Sequence, residues 1–235
     1  MRHGDPSGPS ASGAIALDPD ESGAIVASAI AAAAAASAPF AANGTRDEEE
    51  TRLINRCLAG DVEAFRPLVH RYQRLVFAVA FRMLGSRADA EDIAQQAFVD
   101  AFNALDRFRP EGRQRAFSTW LLRIAVNRSK DVLKSKRRTE EPLDRDVPGV
   151  EAAFAYDPPT PETNASHGER RAHLGAALLK LPTKYREVLI LRDAEDLSYE
   201  EIRRILRLPI TTLKIRVVRG RAMLRNLVER VGVTS

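Results

Sequence analysis

The sequence predicts an all-α protein made of two small helical domains joined by a flexible acidic linker. Three observations carry that prediction. Apolar residues recur at three-four spacing through the segments that have the composition to fold. No segment shows the period-two alternation of a half-buried strand. And residues 139–168, "TEEPLDRDVPGVEAAFAYDPPTPETNASHG", hold five prolines and seven acids against one arginine, which separates one helical region from the next. At 235 residues the chain is long enough for two such domains, and with aromatics at 6% their cores fall to Leu, Ile, Val and Ala.

Residues 1–46 are rich in Gly, Ser, Pro and Ala, and are expected to form a disordered tail. The stretch "GAIVASAIAAAAAASAPFAAN" has the look of an export signal. It starts late, follows the acidic "DPDES", and has only Arg2 before it as a positive side chain. It is too alanine-rich and interrupted for a membrane span.

The first domain is expected over 47–138. "DEEETRLINRCLAGD" places acids in a first helical turn, where they suit the helix dipole, and closes at Gly60. "DVEAFRPLVHRYQRLVFAVAFRMLG" sets Phe65, Leu68, Val69, Tyr72, Val76, Val79 and Ala80 on one face and stops at Gly85. "SRADAEDIAQQAFVDAFNAL" opens on Ser86 as N-cap, and its stripe runs through Ile93, Ala97, Phe98, Ala101, Phe102 and Leu105. "DRFRPEGRQR" is a loop by its proline and glycine. The helix that follows, "FSTWLLRIAVNRSKDVLKSKRR", is apolar and aromatic at one end and cationic at the other.

The second domain is expected over 169–235. "RRAHLGAALLKL" and "KYREVLILRDAED" are helices, with Pro182 suited to a first turn. In "LSYEEIRRIL", Ser198 and Glu201 have capping-box spacing, with Leu197 and Ile202 at the staple positions. "RLPI" is a short turn before "TTLKIRVVRGRAMLRNLVERV", so the pair has the layout of a helix-turn-helix. In its second helix Leu213, Val217, Gly220, Leu224 and Leu227 share the face that packs inward. From Arg203 to Arg225 there are eight basic residues and no acid, which points to phosphate as a partner.

Catalysis and metal binding find no support. Cys57 is the single cysteine, which rules out an intramolecular disulfide framework and fits a reducing cytoplasm. The histidines at 3, 70, 167 and 173 show no ligand spacing with it, so no metal and no cofactor is expected. Asp89, Glu91 and Asp92 have no base, glycine-rich phosphate loop or nucleophile nearby to make them catalytic.

"DAEDIAQQAFVDAF", "FSTWLLRIAVNRSKD" and "LPTKYREVLILRDAEDLSYEEI", in that order, resemble a bacterial sigma factor of the extracytoplasmic-function group, over roughly 48–138 and 169–230. The resemblance implies a non-enzymatic cytoplasmic protein, monomeric when free, that directs core RNA polymerase to specific promoters and helps open them. It implies core RNA polymerase, promoter DNA and an anti-sigma factor as partners, and no small-molecule substrate. By match, Asp89, Asp92 and Gln95 lie on the polymerase-binding face. Phe108 and Asn127 line a pocket for a flipped-out base of the single-stranded −10 element, and Arg123, Arg128, Lys130 and Lys134 hold the strand. Trp120 is then core, holding that helix in place. Thr212, Lys214, Arg216 and Arg219 meet the −35 element as duplex.

The chain departs from the family pattern at Arg203, where Ala is usual, at Arg207 and Thr211, where Gly is usual, and at Ile215, where the family has a small polar residue. An arginine at positive φ costs roughly 1 kcal/mol. Ile215 and Val218 cannot hydrogen-bond to bases. Two other readings follow from the same residues. One is a dimeric helix-turn-helix regulator acting alone. The other is a sigma-like module that binds polymerase or an anti-sigma factor without reading promoters.

Overall fold

The computed structural model describes residues 44–109, 115–139 and 165–232, all helix and turn, with no strand among them. The tail up to residue 43 and residues 140–164 of the acidic linker lie outside the described residues.

In the first domain, α1 (Gly44–Leu58) leads into a 3₁₀ turn (Val62–Phe65), α2 (Arg66–Leu84), α3 (Arg87–Asn103), a second 3₁₀ turn (Leu105–Arg107) and α4 (Ala116–Thr139). The caps are those expected. Gly85 ends α2 in the left-handed region (φ 72°), and the Ser86 hydroxyl accepts the Asp89 backbone N–H at 3.3 Å. The core is aromatic where the three long helices converge. The rings of Phe65, Tyr72, Phe108 and Trp120 surround Phe117 at centroid distances of 6.4, 5.7, 5.7 and 5.8 Å. α1 is fastened to α2 by a buried hydrogen bond from the Tyr72 hydroxyl to the Glu50 carboxylate. Burial pushes the Glu50 carboxyl above its ordinary range, against the pull of that hydrogen bond.

In the second domain, α5 (Ala165–Lys180) starts four residues before the expected boundary at 169. α6 (Thr183–Leu189) runs into a π-helical turn (Ile190–Ala194). The helix-turn-helix follows as α7 (Tyr199–Leu206) and α8 (Ile210–Gly232). The capping box is formed in both directions: Ser198 Oγ accepts the Glu201 N–H, and the Ser198 N–H donates to Glu201 Oε2 at 2.7 Å. Leu213, Val217, Gly220 and Leu224 are buried, as the wheel requires, while Leu227, expected on the same face, is only partly buried. Gly220 lets α8 approach α6, since a Cβ there would stand 3.2 Å from Leu189 Cδ1 and 3.3 Å from Tyr185 Cβ.

Arg207 occupies the left-handed position after α7 (φ 56°, ψ 42°), where its N–H closes on the Arg203 carbonyl at 2.8 Å. The helix therefore ends in a conformation suited to glycine but carries a Cβ. Arg207→Gly is expected to be about 1 kcal/mol more stable to urea than Arg207→Ala, which keeps the strain. Equal stability of the two variants would show that the turn is unstrained.

The two domains dock against each other, an arrangement that the sequence does not announce. Arg82 of α2 and Glu195 after the π turn form a buried ion pair at 2.6 Å, with side chains 8% and 4% exposed. The Arg186 guanidinium is also buried. It donates to the carbonyls of Leu178 (3.1 Å), Leu179 and Leu181 (3.0 Å) near the end of α5, and to that of Met83 (2.5 Å) at the end of α2. One cation thus caps the negative ends of two helices from different domains. Leu179 sits directly over Gly85.

Candidate nucleic-acid interface

Within the helix Phe117–Arg138, Asn127 is exposed at the middle of α4, and Lys134 is exposed a further two turns on. Arg123 is partly buried, and burial together with the nearby Arg207 cation lowers the pKa of its guanidinium. Lys134 lies 3.9 Å from Asp131 on the same helix, and the other two expected cations are engaged by other helices. Arg128 makes a two-pronged bond to Asp100 of α3 at 2.6 and 2.8 Å, which holds the Asp100 carboxyl below its usual range. Lys130 lies 3.3 Å from the Glu187 carboxylate of the second domain.

Phe108 departs from its expected place. It is 6% exposed, edge-on to Phe117 and 5.1 Å from Trp120 by ring centroid. Its ring is part of the core wall rather than a surface for an unstacked base. Trp120 is half-buried beside it, as a residue that holds α4 in place should be.

On α3, Asp92 and Gln95 are exposed, while Asp89 faces the far end of α4. Burial works to raise the Asp89 carboxyl, but hydrogen bonds from Lys136 (2.5 Å) and Ser86 outweigh it and hold the group below its usual range. Gln95 borders a groove of about 470 Å³ between α2 and α3, together with Gln73, Phe77, Arg87, Glu91 and Phe98. The α2 side of this groove is missing from the sequence reading. Its signal is a second apolar stripe: Phe77 and Phe81, four residues apart, stack at 5.9 Å with an interplanar angle of 12°.

On α8, Lys214 and Arg219 are exposed, and no ion pair engages either of them among the described residues. Lys214 Nζ stands 5.9 Å from the Tyr199 ring centroid. Thr212 is half-buried in the first turn. Arg216 is bound to Glu187 at 3.1 Å. The run of eight cations is therefore less free than it reads. Arg203 pairs with Glu200 of its own helix at 2.9 Å and Arg221 with Asp193 of the π turn at 2.5 Å, so neighbouring acids neutralise part of it.

Glu187 is the meeting point of these surfaces. Its buried carboxylate lies between Lys130 of the first domain and Arg216 of the second. Burial pushes its carboxyl up, and the two cations pull it back. A further pair, Arg115 with Glu201 at 3.6 Å, closes the contact between the loop before α4 and the helix-turn-helix. Among the described residues no group of His, Cys, Asp and Glu has the arrangement to hold a metal ion, and no helix is long and apolar enough to cross a membrane.

Comparison with known proteins defines the class first. The chain matches the family model for sigma-70 region 2 over residues 68–139 and that for sigma-70 region 4 over residues 171–224. It is 38% identical over 177 residues to the ECF RNA polymerase sigma factor SigW of Bacillus subtilis, covering 73% of this chain and 92% of that protein. It is 36% identical over 183 residues to the ECF RNA polymerase sigma-E factor of Escherichia coli K12, covering 75% and 93% respectively. Among solved structures, CnrH in complex with the cytosolic domain of CnrY shares 28% identity at a TM-score of 0.55, over 77% of this chain and 98% of CnrH. The protein belongs to the extracytoplasmic-function group of RNA polymerase sigma factors.

Proposed function

We propose that the first domain takes core RNA polymerase on the α2–α3 groove that Gln95 borders, with Asp92 exposed on the same helix, and reads the −10 element as a single strand along α4. Asn127 is the exposed hydrogen-bonding group there, Lys134 lies exposed two turns further on, and Arg123 and Lys130 serve phosphates once Lys130 leaves Glu187. The second domain reads the −35 element as duplex by laying the first turns of α8 in the major groove. Thr212 and the helix N-terminus meet phosphate, and Lys214, Arg216 and Arg219 meet phosphate or base edges. The protein carries out no chemistry of its own and acts in the cytoplasm, where polymerase and promoter are. A partner of the anti-sigma kind fits this reading, since the structurally similar CnrH was solved with the cytosolic domain of another protein bound.

The observation that carries the reading is the outer face of α8. Lys214 and Arg219 stand exposed on the second helix of a helix-turn-helix whose inner face is fully packed. The test is run-off transcription with core polymerase on fragments of the source genome. Discrete transcripts are expected with the wild-type chain. They should fall by at least about tenfold with Lys214→Glu/Arg219→Glu, while co-elution with polymerase is unchanged. Unchanged transcripts would remove α8 from promoter recognition. Co-elution without any transcript would favour a sigma-like module that binds polymerase and reads no promoter.

A further inference from the structure

α8 is apolar on two opposite sides. Leu213, Val217, Gly220 and Leu224 form the buried stripe. Thr211, Ile215, Val218 and Ala222 form a second stripe with the same spacing. It is displaced by two residues, which turns it about 200° away from the first. This second stripe faces solvent: Ile215 is 52% and Val218 68% exposed. A single surface valine needs no explanation. Two β-branched side chains one turn apart, in the first three turns of a helix proposed to enter the major groove, do. Neither can hydrogen-bond to a base edge. What each offers is methyl groups, and the matching feature of the major groove is the C5-methyl of thymine. The stripe is flanked by the exposed cations Lys214 and Arg219, so its surroundings are cationic and suit a polyanion better than an apolar protein surface.

We infer that Ile215 and Val218 are specificity-determining residues that read thymine methyl groups in the −35 duplex. The inference rests on the proposal above that α8 enters that duplex. Ile215 and Val218 are separated by about 4.5 Å along the helix axis, close to the roughly 3.4 Å rise of one base pair, so the two thymines lie within one or two steps of each other. The recognition is by shape and methyl burial, and Lys214 and Arg219 provide the attraction to the backbone.

The experiment uses the full chain with core polymerase. Active promoters are first selected from a pool randomised over the −35 region. In a selected promoter each −35 thymine is then replaced singly by deoxyuridine, which removes the methyl and leaves every hydrogen-bonding group in place. Run-off transcription is measured at limiting protein. Loss of one methyl contact is expected to weaken activity roughly fourfold at one or two thymines. At one of them the penalty should vanish in Ile215→Ala, and at the other in Val218→Ala. Both residues are exposed, so the variants should keep the wild-type melting temperature. If promoters are selected but deoxyuridine has no effect at any thymine, the inference is wrong and the promoter-reading role stands. A deoxyuridine penalty that persists in both variants places the methyl contact elsewhere and overturns the inference too. Variants that lose affinity for polymerase instead would make the stripe a protein-docking face. If no −35 sequence is selected at all, the underlying reading fails and takes the inference with it.

Discussion

Replacing Arg186 by alanine is expected to destabilise the second domain by about 4 kcal/mol, the larger of the two strongest effects predicted for this fold. The Arg186 side chain supplies donors to four main-chain carbonyls, three of them near the end of α5 and one at the end of α2. Helix C-terminal carbonyls have no partner within their own helix, and here they are buried, so the alternative of water is closed to them. Arg186→Lys keeps the charge but loses the planar fork, and should recover less than half of the loss. Urea unfolding followed by circular dichroism measures both. A cost below about 1 kcal/mol for Arg186→Ala would mean that water replaces the guanidinium and that the cap is dispensable.

Arg82→Ala is the second. It leaves the Glu195 carboxylate buried without the guanidinium opposite it, at a cost of about 3 kcal/mol. That cost falls on the contact between the domains, so the expected readout is their separation: a larger radius of gyration in solution, with both domains still helical. Burial already pushes the Glu195 carboxyl up, and Arg82 opposes that push. Without Arg82 the carboxyl rises further. A raised value in the docked state means that docking is favoured at low pH and lost as pH rises through that value. The variant should therefore dock near pH 4 and separate toward neutrality. An Arg82→Met/Glu195→Leu double variant, which removes both charges and keeps the bulk, should stay docked at every pH. A compact Arg82→Ala protein at neutral pH would show that this pair does not hold the domains together.

The features that the sequence makes legible are those decided within a turn or two of the chain. Ser198 and Glu201 are three residues apart, and so are Ser86 and Asp89. Such caps depend on neighbours that any reader of the chain can see. The inner face of α8 is equally local, a matter of helical spacing. What escapes is whatever depends on a partner far along the chain. Phe108 lies in a stretch with loop composition, and its burial is set by Phe117 and Trp120, which only the fold brings over it. The cations of 203–225 look unopposed because Glu187 and Asp193 lie 28 or 29 residues before the arginines they neutralise. Arg186 is harder still: its acceptors are backbone carbonyls, which every residue has, so no pattern of side chains marks the role. The candidate site was thus legible as surfaces, in Asn127, Gln95, Lys214 and Arg219, and illegible in which of its cations the protein itself uses.

The shared carboxylate of Glu187 has a consequence for how the free protein meets DNA. On the reading proposed above, Lys130 belongs to the single strand of the −10 element and Arg216 to the duplex of the −35 element. In the docked molecule both are held by one acidic side chain, which takes the place of a phosphate from each. The protein is in that respect an imitation of its own complex. DNA that draws these cations away sheds its condensed counterions and gains their entropy. It does so in competition with an ion pair already made, so the stronger lure is a promoter presented to both domains at once.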